Sequence, residues 1–318
     1  MRLEQMKAVV LGHAVADALG VPVEFCLREE LDPNPVEDMM GYGTYPYPAG
    51  SWSDDTSMSL AALDSLASGQ IDFDDIMQRF AKWYYEDEYT PTGTLFDVGG
   101  TCARAIERHR EGVAPVDCGL CVPTANGNGA LMRIHPFVLY AYERAMETDE
   151  WEKIIFDASA LTHRHRRSLI GSGIYTFVLL ALLREPSKDS VVRALAEARD
   201  RYASEVQAEH YQRIFRADFA SLPRESIKST GYVVDTLEAA LWCLLTTDSY
   251  RECVLKAVNL GEDTDTVAAI AGGLAGALYG EDGIDGVWRK TLLRAEYIEQ
   301  LCERAYAVWR SSRASEAP

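Results

Sequence analysis

The sequence predicts an all-α protein. Apolar residues recur at three- and four-residue spacings through most of the chain, and no run alternates apolar and polar residues between hairpin turns. With 318 residues, 47% of them hydrophobic, a substantial core can be buried. One compact multi-helix domain is expected over residues 1–310, with a flexible tail, "SSRASEAP", over 311–318.

The elements follow in order. "EQMKAVVLGHAVADAL" is a helix with almost no polar face, and the proline- and glycine-rich "DPNPVEDMMGYGTYPYPAGS" after it is a loop. "TSMSLAALDSLASG", "DDIMQRFAKWYYEDE" and "VGGTCARAIERHREG" each repeat apolar residues with helical period. A second loop, "VAPVDCGLCVPTANGNG", leads to an apolar helix and then to "WEKIIFDASALTH" and "RSLIGSGIYTFVLLALLRE". The polar piece from Ser187 to about Phe215 reads as an exposed helical segment. A third loop, "RADFASLPRESIKSTGY", precedes "TLEAALWCLLTT". None of the loops reads as a flexible linker, because each carries aromatic residues that need packing partners.

A formal net charge of −18 argues against a nucleic-acid or anionic-membrane surface, which needs clustered Lys and Arg. An anionic ligand would therefore need local help from cations or backbone N–H groups. The first twenty residues are interrupted by Asp17 and do not read as a signal peptide, and the longest apolar runs are too short to span a bilayer. Seven cysteines without regular spacing suit a reducing cytoplasm, and "CGLC" at Cys118–Cys121 has no second pair to complete a zinc site.

Five pieces carry candidate chemistry. In "SDDT", Ser53 is a good N-cap, and Asp54 and Asp55 favour the positive end of a helix dipole. Far along the chain, "GEDTDT" places Asp263 and Asp265 two residues apart on a loop-to-helix turn, followed by Thr266 and a run of small residues that lets another helix approach closely. Buried carboxylates are costly unless cations neutralise them, and four aspartates with flanking hydroxyls suit hard divalent cations such as Mg²⁺ or Mn²⁺. Asn126, Gly127, Asn128 and Gly129 form a turn whose N–H groups, with the helix N-terminus behind them, could approach phosphate oxygens; the plainer reading is a glycine turn. Glu24, after Pro22, is either a surface carboxylate or a general acid/base. His163 and His165 lie in a basic cluster that is either a solvated helix junction or a phosphate contact.

Taken together and in order, "ADALGVPVEF", "WSDDTSMSLAALDSL", "FDVGGTCARAI", "NGNGALMRIHP", "LTHRHRRSLIG", "STGYVVDTLEAALW" and "NLGEDTDTVAAIAGGLAGALYG" resemble the ADP-ribosylglycohydrolase family from about Arg2 to Gly280. The resemblance implies a compact, orthogonal all-α fold with a binuclear Mg²⁺ or Mn²⁺ centre at the base of a central ADP-ribose cleft. It makes Ser53, Asp54, Asp55, Asp263, Asp265 and Thr266 the metal ligands. It aligns Glu24 with a carboxylate of a mobile loop over the metals, and Asp97 with an aspartate of acid/base chemistry in the nitrogenase-regulating branch. It assigns Asn126, Gly127, Asn128 and Gly129 to a phosphate-cradling loop, His163 to a diphosphate contact, and Gly231 and Tyr232 to the nucleoside side. The chain departs from the family's "GDALG" in having Ala16 for a glycine, which adds a methyl near the cleft and removes no chemical group.

The implied activity is hydrolysis of the N-glycosidic bond of ADP-ribosylated arginine on proteins, with Glu24, Asp54, Asp55 and Asp97 as the carboxylates available for proton handling. Serine-linked or O-acetyl-ADP-ribose are alternative substrates, and a metal-dependent ADP-ribose binder without turnover is an alternative of another class. An ADP-ribosylated protein or a small-molecule conjugate is the implied partner, and the cytoplasm the implied compartment.

Overall fold

The computed structural model describes the backbone of residues 1–316 and the side chains of residues 1–311. Its helices are, in chain order, α1 (Leu3–Gly20), α2 (Arg28–Leu31), α3 (Asp54–Leu66), α4 (Phe73–Glu86), α5 (Gly100–Arg110), α6 (His135–Glu143), α7 (Thr148–Ala160), α8 (Arg166–Arg184), α9 (Lys188–Arg201), α10 (Val233–Leu245), α11 (Tyr250–Val258), α12 (Thr264–Tyr279), α13 (Gly286–Thr291) and α14 (Ala295–Glu316). Among the described residues no strand forms. Two isolated bridges, Leu120 with His163 and Gly127 with Tyr232, are the only β-type pairings there. The tail expected from residue 311 carries helical backbone as far as Glu316, and its last two residues lie outside the described residues.

The outer helices show why the periodicity was readable. In α4 the buried residues are Ile76, Met77, Phe80 and Trp83, one stripe of a 3.6-residue period. Asp72 caps its start by accepting from the N–H groups of Asp74 and Asp75, and Asp87 ends it in the left-handed region at φ 59°. The segment after Ser187 differs from its expectation. α9 buries Val191, Ala194, Leu195 and Ala198, and from Val206 to Phe215 the chain tightens into a 3₁₀ run that buries Tyr211 and Ile214. Both pieces are amphipathic rather than exposed, because their few apolar residues fall on one side.

The centre is a helix pair. Every residue of α1 from Ala8 to Gly20 is buried, as is every residue of α12 from Thr264 to Gly276. Small residues let the two backbones meet: a carbon added at Gly272 would lie 2.3 Å from the Ala16 methyl, and one at Gly20 would lie 2.4 Å from the backbone nitrogen of Asp265. The methyl that Ala16 adds is thus received by a position that has none. Thr264 Oγ1 donates to the Gly20 carbonyl at 2.8 Å and locks the end of α1 to the start of α12. By length and composition, Leu3–Val23 and Arg166–Arg184 could each cross a membrane, which the shorter apolar runs did not suggest. In the fold these windows are 94% and 72% buried, as core helices are.

Candidate metal centre and substrate cleft

The seam between α1 and α12 sets the site. Asp17 is the one buried carboxylate of α1, whose buried stretch is apolar but for it and His13, and it must find donors there. Its Oδ1 accepts from the Ser53 N–H at 2.9 Å, and its Oδ2 from the Thr56 N–H at 3.1 Å and the Thr56 hydroxyl at 2.6 Å. The start of α3 is therefore capped twice, by Asp17 from a distance and by Ser53 itself, whose Oγ accepts from the Asp55 N–H. This fixes Asp54 and Asp55 at the inner end of α3.

The second aspartate turn arrives at the same place. Thr266 donates its hydroxyl to Asp55 Oδ2 at 3.1 Å, joining two motifs more than two hundred residues apart in sequence. Ser53 Oγ donates to the same oxygen at 3.2 Å. Asp263 caps α12 through its backbone position, with its carboxylate turned instead to accept from Asn128 Nδ2 at 2.7 Å. Carboxylate oxygens of Glu24, Asp97 and Asp265 lie within 4.8 Å of one another. Ligands on opposite sides of a divalent cation, each about 2.0–2.6 Å from it, are separated by that order of distance.

The donor set fits hard cations. Glu24 Oε2, Asp55 Oδ1 and Asp265 Oδ2 are buried oxygens with no hydrogen-bond partner. Desolvation is the main cause that pushes every carboxyl here upward: Asp17 to about 7, Glu24 to about 9, and Asp54, Asp55, Asp97, Asp263 and Asp265 in the same direction, with their mutual repulsion adding to it for most. So many buried carboxyls can ionise together only if positive charge is brought among them.

Above them opens a cleft of about 350 Å³ whose wall includes Glu24, Asp54, Asp97, Gly129, His163 and Asp263. The Asn126–Gly129 turn is held to the Gly231–Tyr232 segment by Asn128 N–H to Gly231 O and Val233 N–H to Asn126 O, both at 3.0 Å. Gly127, Asn128, Gly129 and Gly231 face the cleft. The Asn126 side chain is committed internally, donating to Pro123 O and accepting from Ser168 Oγ, so it shapes the turn. Tyr232 lies half-buried, with the Arg167 guanidinium 5.7 Å over its ring. The expected helix N-terminus behind the turn is absent at this point: a 3₁₀ turn, Leu131–Arg133, comes first, and α6 begins at His135.

The two histidines part company. His163 is buried in the cleft wall, whereas His165 caps α8 by accepting from the Arg167 N–H at 3.3 Å. The neighbouring cations are paired, Arg164 with Asp117 and Arg166 with Glu205, so around His165 the plain helix-junction reading holds. Cys118 and Cys121 are free thiols.

Two contributors were not singled out from sequence. Asp17 was present in "ADALG", and its signal was a lone acid on an apolar helix. Tyr45, in the aromatic loop, places its hydroxyl against Glu24 and Asp97, and its ring packs 4.9 Å from that of Phe96, the neighbour of Asp97. Asp97 itself sits in the left-handed region at φ 49°.

Residues 1–315 match the family described as ADP-ribosylglycohydrolase. The chain is 33% identical over 307 residues to "ADP-ribosylarginine hydrolase Tri1" of Pseudomonas putida, covering 96% of this chain and 78% of that one. It is 35% identical over 288 residues to "ADP-ribosyl-[dinitrogen reductase] glycohydrolase" of Rhodospirillum rubrum, covering 89% and 88%. A solved structure titled "ADP-ribosylglycohydrolase-related protein complex" superposes with a TM-score of 0.82 at 31% identity, over 97% of this chain and 99% of that one.

Proposed function

The chain belongs to the ADP-ribosylglycohydrolase family, and on that premise we propose that it removes ADP-ribose from modified arginine side chains of proteins with the help of two Mg²⁺ or Mn²⁺ ions. The observation that carries the reading is the hydrogen bond from Thr266 to Asp55, which brings two aspartate turns and three orphaned carboxylate oxygens to the floor of one cleft. Ser53, Asp54, Asp55, Asp263, Asp265 and Thr266 would hold the cations. When bound, they offset the carboxylate charge, act as Lewis acids toward ribose hydroxyls and a water, and help an acidic protein accept an anionic ligand.

The reaction adds water across the bond between the anomeric carbon and the guanidine nitrogen. That bond breaks, a C–O bond forms, and one proton of the water ends on the departing guanidine. Positive charge develops on the sugar as the bond stretches, and in this reading the carboxylates of Asp54 and Asp55 stabilise it. Without cations, burial, with Asp97 and Asp263 nearby, pushes the Glu24 carboxyl up to about 9, which makes it the readiest of these groups to carry a proton. In this reading Glu24 hands that proton to the leaving nitrogen, and Asp97, against the same Tyr45 hydroxyl, shares the proton traffic. Gly127, Asn128, Gly129 and His163 would receive the diphosphate, and Gly231 and Tyr232 the nucleoside side. Asn126 would hold that turn in shape.

The free thiols of all seven cysteines support a reducing, cytoplasmic setting. The test is to offer the purified protein arginine-, serine- and acetyl-linked ADP-ribose side by side with Mg²⁺ or Mn²⁺. Release from the arginine linkage supports the reading, and release only from another linkage rejects it. Tight binding of all three without release identifies a non-turnover binder instead.

A further inference from the structure

Arg133 follows the glycine turn and is wholly buried, yet among the described residues it forms no ion pair. Its Nε and Nη1 have no hydrogen-bond partner, and its guanidinium lies 4.8 Å over the ring of Phe80. A buried cation without a counter-ion is costly, and replacing one by an apolar side chain is often neutral or stabilising. Its presence in the core calls for a use. Only Nη2 is engaged, donating to Ala158 O at 3.1 Å and to Thr162 Oγ1 at 2.7 Å. Thr162 Oγ1 in turn lies 2.9 Å from His163 Nδ1.

A hydroxyl has one proton. With a lone pair of Thr162 taken by a guanidinium that can only donate, its proton is best used on Nδ1, a stronger acceptor than the Cys102 sulfur also beside it. Nδ1 is then unprotonated, and the ring proton sits on Nε2. That nitrogen faces the glycine turn: a carbon added at Gly127 would lie 3.5 Å from it, and one at Gly129 3.6 Å. Burial, and then the Arg133 charge, hold the His163 ring neutral, lowering it to about 3.

We propose that Arg133 and Thr162 are positioning residues for ligand binding: they fix His163 as a neutral Nε2–H donor aimed at the diphosphate, with Arg133 as a buried counter-charge behind it. The inference rests on the ADP-ribose reading of the cleft. It supplies a second source of anion affinity in a protein of net charge −18, independent of the metal floor.

The test compares ADP-ribose, which carries the diphosphate, with adenosine, which does not, by calorimetry on the full chain with Mg²⁺. Thr162→Val should weaken ADP-ribose about tenfold or more, the loss of one charge-supported hydrogen-bond relay, while adenosine affinity stays within about twofold. Thr162→Ser, which keeps the hydroxyl, should restore it. Arg133→Met should bind ADP-ribose more weakly while melting no earlier than wild type. In ¹⁵N spectra of the wild type, His163, assigned by its loss in His163→Asn, should show Nδ1 as the bare nitrogen and Nε2 as the protonated one. The inference is overturned if Thr162→Val binds ADP-ribose like wild type, if adenosine affinity falls in parallel, or if His163 carries its proton on Nδ1. Wild-type protein that binds no ADP-ribose at all would instead reject the reading of the cleft.

Discussion

Replacing Gly20 by alanine sets two effects against each other. Alanine is the better helix former by about 1 kcal/mol, so on propensity alone the change at the end of α1 stabilises. The added carbon, however, would lie 2.4 Å from the backbone nitrogen and Cα of Asp265 and 2.5 Å from the carbonyl carbon of Thr264. Ordinary contact begins at 3.4 Å, so the start of α12 must retreat by about 1 Å, and the obstacle is backbone held by the bond from Thr264 to Gly20. Overpacking of this kind costs roughly 1–3 kcal/mol, which set against the propensity gain leaves a net loss of up to about 2 kcal/mol. A retreat of that size also exceeds the roughly 0.6 Å width of the window, about 2.0–2.6 Å, within which Asp265 could bind a divalent cation. Thermal melts with and without Mg²⁺, beside ADP-ribose release, separate the two losses. Gly20→Ala should lower Tm by up to about 4 °C, lose the Mg²⁺-dependent rise in Tm, and release ADP-ribose at under roughly a hundredth of the wild-type rate. Gly286→Ala, at a position with nothing within 4 Å, should behave as wild type. If Gly20→Ala keeps both its Mg²⁺ response and its turnover, the seam does not govern the site.

Asp54→Ala and Asp265→Ala should each abolish Mg²⁺-dependent release while leaving the helical circular dichroism largely intact, and full activity in either would reject the metal centre. Asp17→Asn replaces the oxygen that accepts from Thr56 by an NH₂ group, leaving a buried N–H facing a donor. It should cost about 1–3 kcal/mol by denaturant melt and reduce activity; unchanged stability would refute the capping role. The pH dependence follows from carboxyls raised in the folded state, to about 7 for Asp17 and about 9 for Glu24. The folded protein binds their protons more tightly than the unfolded chain, so this stability is complete at low pH and is lost as pH rises through the folded values. Chelator-treated protein should therefore melt at falling temperature between about pH 5 and about pH 9, with saturating Mg²⁺ reversing most of the fall. A flat profile without metal would contradict the buried-charge account.

Most helices were legible because their stripes are local, as in α4, and Ser53 as a cap was legible because "SDDT" is a local pattern. That the aspartates of "SDDT" and "GEDTDT" converge was suggested only by resemblance; their spacing says nothing of distance in space. Asp17 escaped because capping is ordinarily supplied by the residue just before the helix, and here the second cap comes from another helix. His163 and His165 look alike in sequence, yet one lies in a cleft wall and the other at a helix start, a distinction made by the turn at Thr162. The chain after Ser187 misled through its polar composition, since four apolar residues suffice to bury one face of α9.

The pairing of α1 with α12 also has a temporal side. A ribosome adding about 5–20 residues per second needs on the order of ten to fifty seconds to pass from Gly20 to Asp265. Throughout that interval the first helix, long and apolar enough to enter a bilayer, lacks the partner that covers its largest contact face, although α3, α6 and α11, which also pack on it, come earlier in the chain. A product cut short before α12 would carry all four carboxylates of the cleft wall, Glu24, Asp54, Asp97 and Asp263, with Asp55 beneath them, and would lack Asp265 and the Thr266 hydroxyl that ties the second turn to Asp55.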